Sequence, residues 1–120
     1  MSYVKALRLR QSQERADLSA RHKITKAQTE QIMKTSVETA KAQREALKAR
    51  HNAQSPSQKR ANKDANYTEK INLVARHQAG RARHLQERKA LYAAMTRQKD
   101  DLVIKHRNDL AYAVQMAKKK

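Results

Sequence analysis

The segment that decides the fold is NAQSPS at residues 52–57, because it holds the only proline in the chain. Pro56 cannot continue a helix, and it biases Ser55 away from helical torsion angles. Either Ser55 or Ser57 can cap a helix that follows. The segment therefore predicts a turn at residues 54–57, with a separate element on each side.

Both flanks of this turn have the composition of long α-helices. The 120 residues include a single glycine, and the chain is rich in Ala, Gln, Lys, Arg and Glu, which are good helix formers. We predict an amphipathic basic helix over residues 1–53 and a second basic helix over residues 58–117, roughly 75 and 90 Å long. Residues 118–120 form a basic tail. Gly80 falls within the second helix, where it marks a bend or a close contact between helices.

Helices of this length need a partner that buries their apolar residues. Folding back at Pro56 gives an all-α antiparallel helical hairpin or coiled coil, and pairing the same surfaces between chains gives an oligomer. In the hairpin, facing residues have numbers that total about 111 to 113, which puts Leu18 near Tyr92 and Met95. We therefore expect an all-α hairpin that is oligomeric or is ordered by a partner.

The apolar positions indicate which side chains form the helix interface. On the first helix they recur every 11 residues, which is typical of nearly straight helices. The second helix carries a broader apolar stripe. The predicted interface residues are Leu7, Leu18, Ile32, Leu47, Val74, Leu85, Leu91, Tyr92, Met95, Leu102 and Val103.

A degenerate repeat runs through both helices. Full copies occur at residues 13–22, 43–51, 73–77 and 98–106, and residues 86–91 form a partial copy. Each full copy has Leu four residues before His and a basic residue immediately before the His. Leu and His then share one helix face, so the repeat predicts a continuous stripe of both.

Five histidines lie on or beside the apolar stripes, and they allow three interpretations. A metal site on one helix needs two histidines three or four residues apart, and the chain has neither that spacing nor any cysteine. A pH switch would arise because protonation near about pH 6 adds repulsion at the interface. The interpretation we favour is a half-buried interface histidine, with no metal and no cofactor.

The charge points to an anionic partner. Lys and Arg number 28 against 11 Asp and Glu, a net charge of +17, and the excess is spread over both helices. Spread positive charge suits contact with a phosphate backbone, where counterion release supplies the affinity. The candidate nucleic-acid-binding residues are Arg76, Arg81, Arg83, Arg88, Lys89, Arg97, Lys99, Lys118, Lys119 and Lys120.

Three of these cations, Arg81, Arg88 and Lys99, intrude on the apolar stripe of the second helix. In a closed hairpin they extend outward to water or pair across the interface, as Lys99 could with Glu14. If the first helix covers the stripe only in part, they face the polyanion instead.

Composition and motifs argue against an enzyme. Aromatic residues are 3% of the chain, and no paired carboxylates, catalytic triad or phosphate-binding glycine loop is present. The leading hypothesis is a non-catalytic nucleic-acid-binding protein, for DNA rather than RNA, with little sequence specificity. The alternative is a structural or adaptor coiled coil that binds an acidic protein surface or belongs to a virion, ribosome or polymerase complex. We expect self-association in either case.

Membrane binding is disfavoured. The longest apolar stretch, residues 91–95, is far shorter than the roughly 20 residues of a membrane span, and the N-terminus lacks the apolar region of a signal peptide. The absence of cysteine fits a reducing compartment. We expect a cytoplasmic location or one within a nucleoprotein assembly.

Overall fold

The computed structural model describes residues 2–119, and these residues form three helices and no strand. Helix α1 spans Tyr3–Asn52, α2 spans Pro56–Ala61 and α3 spans Lys63–Lys118. Side chains near the start of α1 contact side chains near the end of α3, so the two long helices run antiparallel. The predicted all-α helical hairpin is confirmed. None of the three helices is long and apolar enough to cross a membrane.

Serine caps define where α1 and α2 begin. The backbone N–H of Lys5 donates to Ser2 Oγ at 3.2 Å at the start of α1. At the start of α2, Gln58 N–H donates to Ser55 Oγ at 3.2 Å, and Ser55 N–H donates to Gln58 Oε1 at 3.0 Å. Ser55 and Gln58 thus form a capping box, with Pro56 as the first helical residue.

The chain reverses through α2 rather than at Pro56 itself. The backbone ladder continues across the break between α2 and α3, because Asn62 N–H donates to Gln58 and Asn66 N–H donates to Asn62, both at 2.8 Å. The side-chain amides of Gln54 and Asn66 bond to each other at 2.8 and 3.4 Å and close the turn.

The predicted pairing register is wrong by about two helical turns. The numbers of bonded partners total 117 for Gln11 with His106 and 121 for Arg15 with His106, against about 111 to 113 expected. The reversal therefore centres near residue 60, since α2 adds helical residues after the proline. A slip of two turns brings the same helix faces together. Apolar pairing therefore could not choose between the two registers.

The chain divides into two compact units, each containing antiparallel parts of α1 and α3. Unit 1 comprises residues 1–28 and 89–120, and unit 2 comprises Thr29–Arg88. Within the described residues, every buried residue belongs to unit 1. These buried residues are Leu7, Gln11, Met95, His106 and Ala113.

Most predicted interface residues are covered, but two are not. Leu7 and Met95 are buried, and those at least partly shielded are Leu18, Leu47, Val74, Leu91, Tyr92, Leu102 and Val103. Ile32 is 63% exposed and Leu85 is 41% exposed, so placing them in the interface was wrong. One facing helix cannot cover a stripe as broad as that of α3, and on α1 the next residue, Met33, is shielded instead of Ile32.

The expected close contact at Gly80 is also wrong. A Cβ atom added to this glycine would have no heavy atom outside its own helix within 4 Å. Helix α3 continues through Gly80, which lines an open cavity.

Candidate functional site

Four histidines make the same hydrogen bond across the helix interface. In each case ring Nε2–H donates to a side-chain oxygen of Gln or Glu on the opposite helix, at distances from 2.8 to 3.2 Å. The pairs are His22 with Gln98, His106 with Glu14, His77 with Gln43, and His51 with Glu69. The two residue numbers total 120 in every pair, so one register satisfies all four bonds.

These bonds arise from a nine-residue repeat at residues 14–22, 43–51, 69–77 and 98–106. Every copy has Glu or Gln at position 1, Arg or Lys at position 2, Leu at position 5, Arg or Lys at position 8 and His at position 9. Positions 1, 5 and 9 are four residues apart and share one helix face. In an antiparallel pair of copies, position 1 of each therefore meets position 9 of the other.

Each unit holds one such reciprocal pair. In unit 1 the copy at residues 14–22 pairs with residues 98–106, and in unit 2 residues 43–51 pair with residues 69–77. The two copies on each long helix start 29 residues apart, which is about eight helical turns and returns to the same face. The repeat thus specifies the register of the hairpin.

Sequence reasoning recognised positions 5, 8 and 9 of the repeat and missed positions 1 and 2. The signal was present, because aligning the four copies on their histidines also aligns the acceptor and the cation. The sequence alone did not show that position 1 contacts position 9 of another copy, since that depends on which copies pair. The pairing of Lys99 with Glu14, one of the options for a closed hairpin, does not form, and Glu14 bonds to His106 instead.

His106 is the most completely engaged of these histidines, with 3% of its surface exposed. Its Nε2–H donates to Glu14 at 2.8 Å, and Arg15 approaches Nδ1 at 3.5 Å. Gln11 Nε2 donates to the His106 carbonyl at 2.9 Å. The hydrogen bond from His106 holds the pKa of the Glu14 carboxyl below its ordinary value, with help from the nearby positive charge of Lys105.

Replacing Glu14 by glutamine should reduce the sensitivity of the fold to acid. A lowered pKa means that the Glu14 contribution to stability is present above the ordinary glutamate value of about 4.3 and is lost as the pH falls through the lowered value. Glutamine keeps the acceptor oxygen, as Gln43 and Gln98 do in other copies, but does not titrate. Thermal unfolding at about pH 6 and about pH 3 should show a smaller drop in Tm for Glu14→Gln than for the wild type.

The matched control is Glu38→Gln, also on α1. Glu38 is exposed and forms no hydrogen bond or ion pair within the described residues. Glu38→Gln should retain the acid sensitivity of the wild type. An equal change in both variants would contradict the role of the Glu14 bond.

One histidine has a buried ring nitrogen that forms no hydrogen bond among the described residues. His77 Nε2–H donates to Gln43 at 2.8 Å, while its Nδ1 is buried without a hydrogen-bond partner among the described residues. In unit 1 the corresponding nitrogen of His106 is approached by the position 2 cation, Arg15. The corresponding cation in unit 2, Arg44, lines the same cavity as His77 without bonding to it.

Four predicted nucleic-acid-binding arginines come together in unit 2. Arg76, Arg81, Arg83 and Arg88 line a cavity of about 670 Å³, together with Arg44, and none of the described residues lining it is Asp or Glu. Arg88 donates to Glu30 at 3.0 Å and its side chain is 33% exposed, so this cation pairs across the interface. Arg83 lies 3.9 Å from Glu87 on its own helix.

Apolar side chains also line this cavity. Met33 and Val37 come from α1, and Val74 and Leu85 come from α3. Val37 is 58% exposed and Leu85 is 41% exposed. The cavity therefore combines guanidinium groups with an uncovered apolar surface.

The structure does not gather the remaining predicted cations into that cavity. Lys89 and Arg97 are exposed on the part of α3 that belongs to unit 1. Lys99 is exposed beside Leu102 in a separate cavity of unit 1. Lys118 and Lys119 are exposed at the end of the chain, and Lys120 lies outside the described residues.

Among residues 2–119, no group of three or more His, Asp or Glu side chains is arranged to hold a metal ion. No protein-family model, curated protein sequence or solved structure matches this chain.

Proposed function

We propose that the chain is a non-catalytic helical protein that binds the phosphate backbone of nucleic acid with little sequence specificity. The observation that carries this proposal is the cavity of unit 2, which five arginines line and no described Asp or Glu lines. Two of the five have carboxylate neighbours outside the lining, since Arg88 pairs with Glu30 and Arg83 lies near Glu87. Guanidinium groups form paired hydrogen bonds with phosphate oxygens, and each neutralised phosphate releases counterions.

Duplex DNA is the proposed ligand ahead of RNA. The major groove of B-form DNA admits an α-helix, whereas the major groove of A-form RNA is too narrow for side chains to read. Two long helices with exposed cations therefore have more ways to approach phosphates on DNA. A net charge of +17 supplies the long-range attraction.

Fluorescence anisotropy with two duplex DNAs of unrelated sequence tests the proposal. Both should bind with similar affinity. If the protein contacts 6 to 10 phosphates, the affinity should fall by a factor of about 10³ to 10⁵ between 50 and 200 mM salt. Duplex RNA of the same sequence serves as the comparison ligand and should bind more weakly. Affinity that does not depend on salt, or no binding at low salt, would contradict the proposal.

A second candidate function is binding of an acidic protein surface. The observation that favours it is the exposure of Val37 and Leu85 within the arginine-lined cavity, since a phosphate backbone does not cover apolar side chains. This candidate predicts that Leu85→Gln weakens binding of the partner protein without changing the affinity for duplex DNA.

The exposed surface area of the chain is large enough to allow self-association as part of either function. The chain exposes 9854 Å², whereas a monomeric globular protein of its mass exposes about 6,600 Å². Obligate dimers bury on the order of 2,000 to 5,000 Å² counted over both partners, so the difference exceeds what one chain of such a dimer buries. Light scattering with and without DNA measures the mass of the species that binds.

A further inference from the structure

We propose that in each unit the nucleic acid contacts one face of the helix pair, the face that carries the position 2 cations of the repeat. These cations are Arg15 and Lys99 in unit 1, and Arg44 and Lys70 in unit 2. The position 8 cations lie on the other face, where one of them, Arg50, forms an ion pair across the interface. This inference rests on the proposed nucleic-acid binding and specifies where the phosphates bind.

Helical geometry puts the two kinds of cation on opposite edges of the interface. Positions 2 and 8 are six residues apart, about one and two thirds turns, and positions 1, 5 and 9 between those edges face the other helix. The cavities agree with this separation in unit 1 and in part in unit 2. Arg15 and Lys99, both at position 2, line one cavity of unit 1. Arg50 and Arg76, both at position 8, line one cavity of unit 2, although Arg76 also lines the large cavity that contains Arg44.

The position 2 face of unit 1 lacks carboxylates. Its cavity, about 330 Å³ in volume, is lined by Arg15, Lys23, Lys26 and Lys99, and no described lining residue is acidic. Arg8 lies seven residues before Arg15 on the same side of α1. It lines a further cavity with Arg107 and Lys118, again without Asp or Glu among the described residues. Seven cations thus line two cavities of this unit that no described Asp or Glu lines.

The position 8 cations have carboxylate neighbours instead. Arg50 pairs with Glu69, which lines the same cavity. Lys105 contributes to lowering the pKa of Glu14. Arg21 follows Asp17 by four residues, as Lys105 follows Asp101, which is the spacing of helix-stabilising ion pairs.

Local sequence distinguishes position 2 from two of the position 8 cations, Arg21 and Lys105, which have Asp four residues before them. In all four copies, none of the residues three or four positions before or after the position 2 cation is Asp or Glu. The copies otherwise differ freely in charge, since position 3 is Ala16, Glu45, Ile71 or Asp100. A positive charge kept in four divergent copies, exposed and away from acids, is what a phosphate contact needs.

In unit 2 the position 2 cations are exposed and unpaired within the described residues, although only Arg44 lines a cavity. Arg44 is exposed and lines the large cavity with Arg81, and neither residue forms a hydrogen bond or ion pair within the described chain. Lys70 is exposed on α3 and is likewise without such a partner there. These side chains are available to phosphate oxygens without first breaking an internal contact.

Two full-length variants with equal charge test the inference. The first replaces the position 2 cations, as Arg15→Gln, Arg44→Gln, Lys70→Gln and Lys99→Gln. The second replaces the position 8 cations of the same repeats, as Arg21→Gln, Arg50→Gln, Arg76→Gln and Lys105→Gln. Anisotropy with a duplex DNA over a salt series should show a loss of about four units of salt slope for the first variant and about one unit or less for the second.

The outcomes separate the two levels of the proposal. Equal losses of affinity in the two variants would overturn the assignment to one face while leaving nucleic-acid binding intact. A larger loss for the position 8 variant would assign the phosphates to the position 8 face instead. No binding of DNA by the wild type would remove the proposed function itself. Circular dichroism checks that both variants fold, and the paired substitutions Arg44→Gln with Lys70→Gln against Arg50→Gln with Arg76→Gln repeat the comparison within unit 2 alone.

Discussion

Replacing His106 by alanine should lower the free energy of unfolding by about 2 to 3 kcal/mol. The His106 side chain is buried, so its removal leaves a cavity and also deletes the bond to Glu14. Because buried side chains are few, the remaining structure has little with which to compensate. Urea denaturation followed by circular dichroism measures the change.

The control for this substitution is His22→Ala, which removes the same bond from the reciprocal position of the same unit. His22 donates to Gln98 at 2.9 Å but is only partly buried, so water can replace the lost bond. We expect a loss of about 1 kcal/mol. If His22→Ala costs as much as His106→Ala, burial is not what makes His106 important.

Replacing Met95 by alanine should cost about 2 to 4 kcal/mol. Met95 is 5% exposed and is one of three apolar residues that are buried within residues 2–119, the others being Leu7 and Ala113. Deleting most of its side chain leaves a cavity, because the surrounding structure relaxes only in part. A loss of this size is a large share of the stability of a small domain, so Tm should fall by many degrees.

Met116→Ala gives the comparison within the same helix. Met116 is 42% exposed near the end of α3, and its truncation should change stability by less than about 0.5 kcal/mol. The two methionine variants differ in burial but not in chemistry. Similar losses for both would show that Met95 is not part of a packed core.

The apolar spacing, the lone proline and the helix-forming composition were sufficient for the fold class. They predicted two long helices on either side of the proline, and they offered Ser55 and Ser57 as caps, of which Ser55 is the cap in the structure. These features are local, because helix formation and capping depend on neighbours within about four residues. The short helix α2 was missed, since the proline was read as the reversal itself.

Only part of the candidate site can be predicted from the sequence in the same way. Arg76, Arg81, Arg83 and Arg88 were chosen from charge and position, and the structure places all four around one cavity. The pairing of Arg88 with Glu30 could not be foreseen, because it joins residues far apart in the sequence. The predicted binding residues do not include Arg15 and Arg44. Their shared position in the repeat becomes evident only when all four copies are aligned.

The sequence by itself determined that the chain is helical, that it reverses near Pro56 and that it is strongly cationic, because these properties follow from composition and short-range spacing. The tertiary structure decided the register and, with it, which charges remain available. A shift of two turns keeps every apolar face in place, so hydrophobic burial cannot distinguish the registers. The hydrogen bonds between positions 1 and 9 do distinguish the registers, because their geometry is met only when the paired residue numbers total 120.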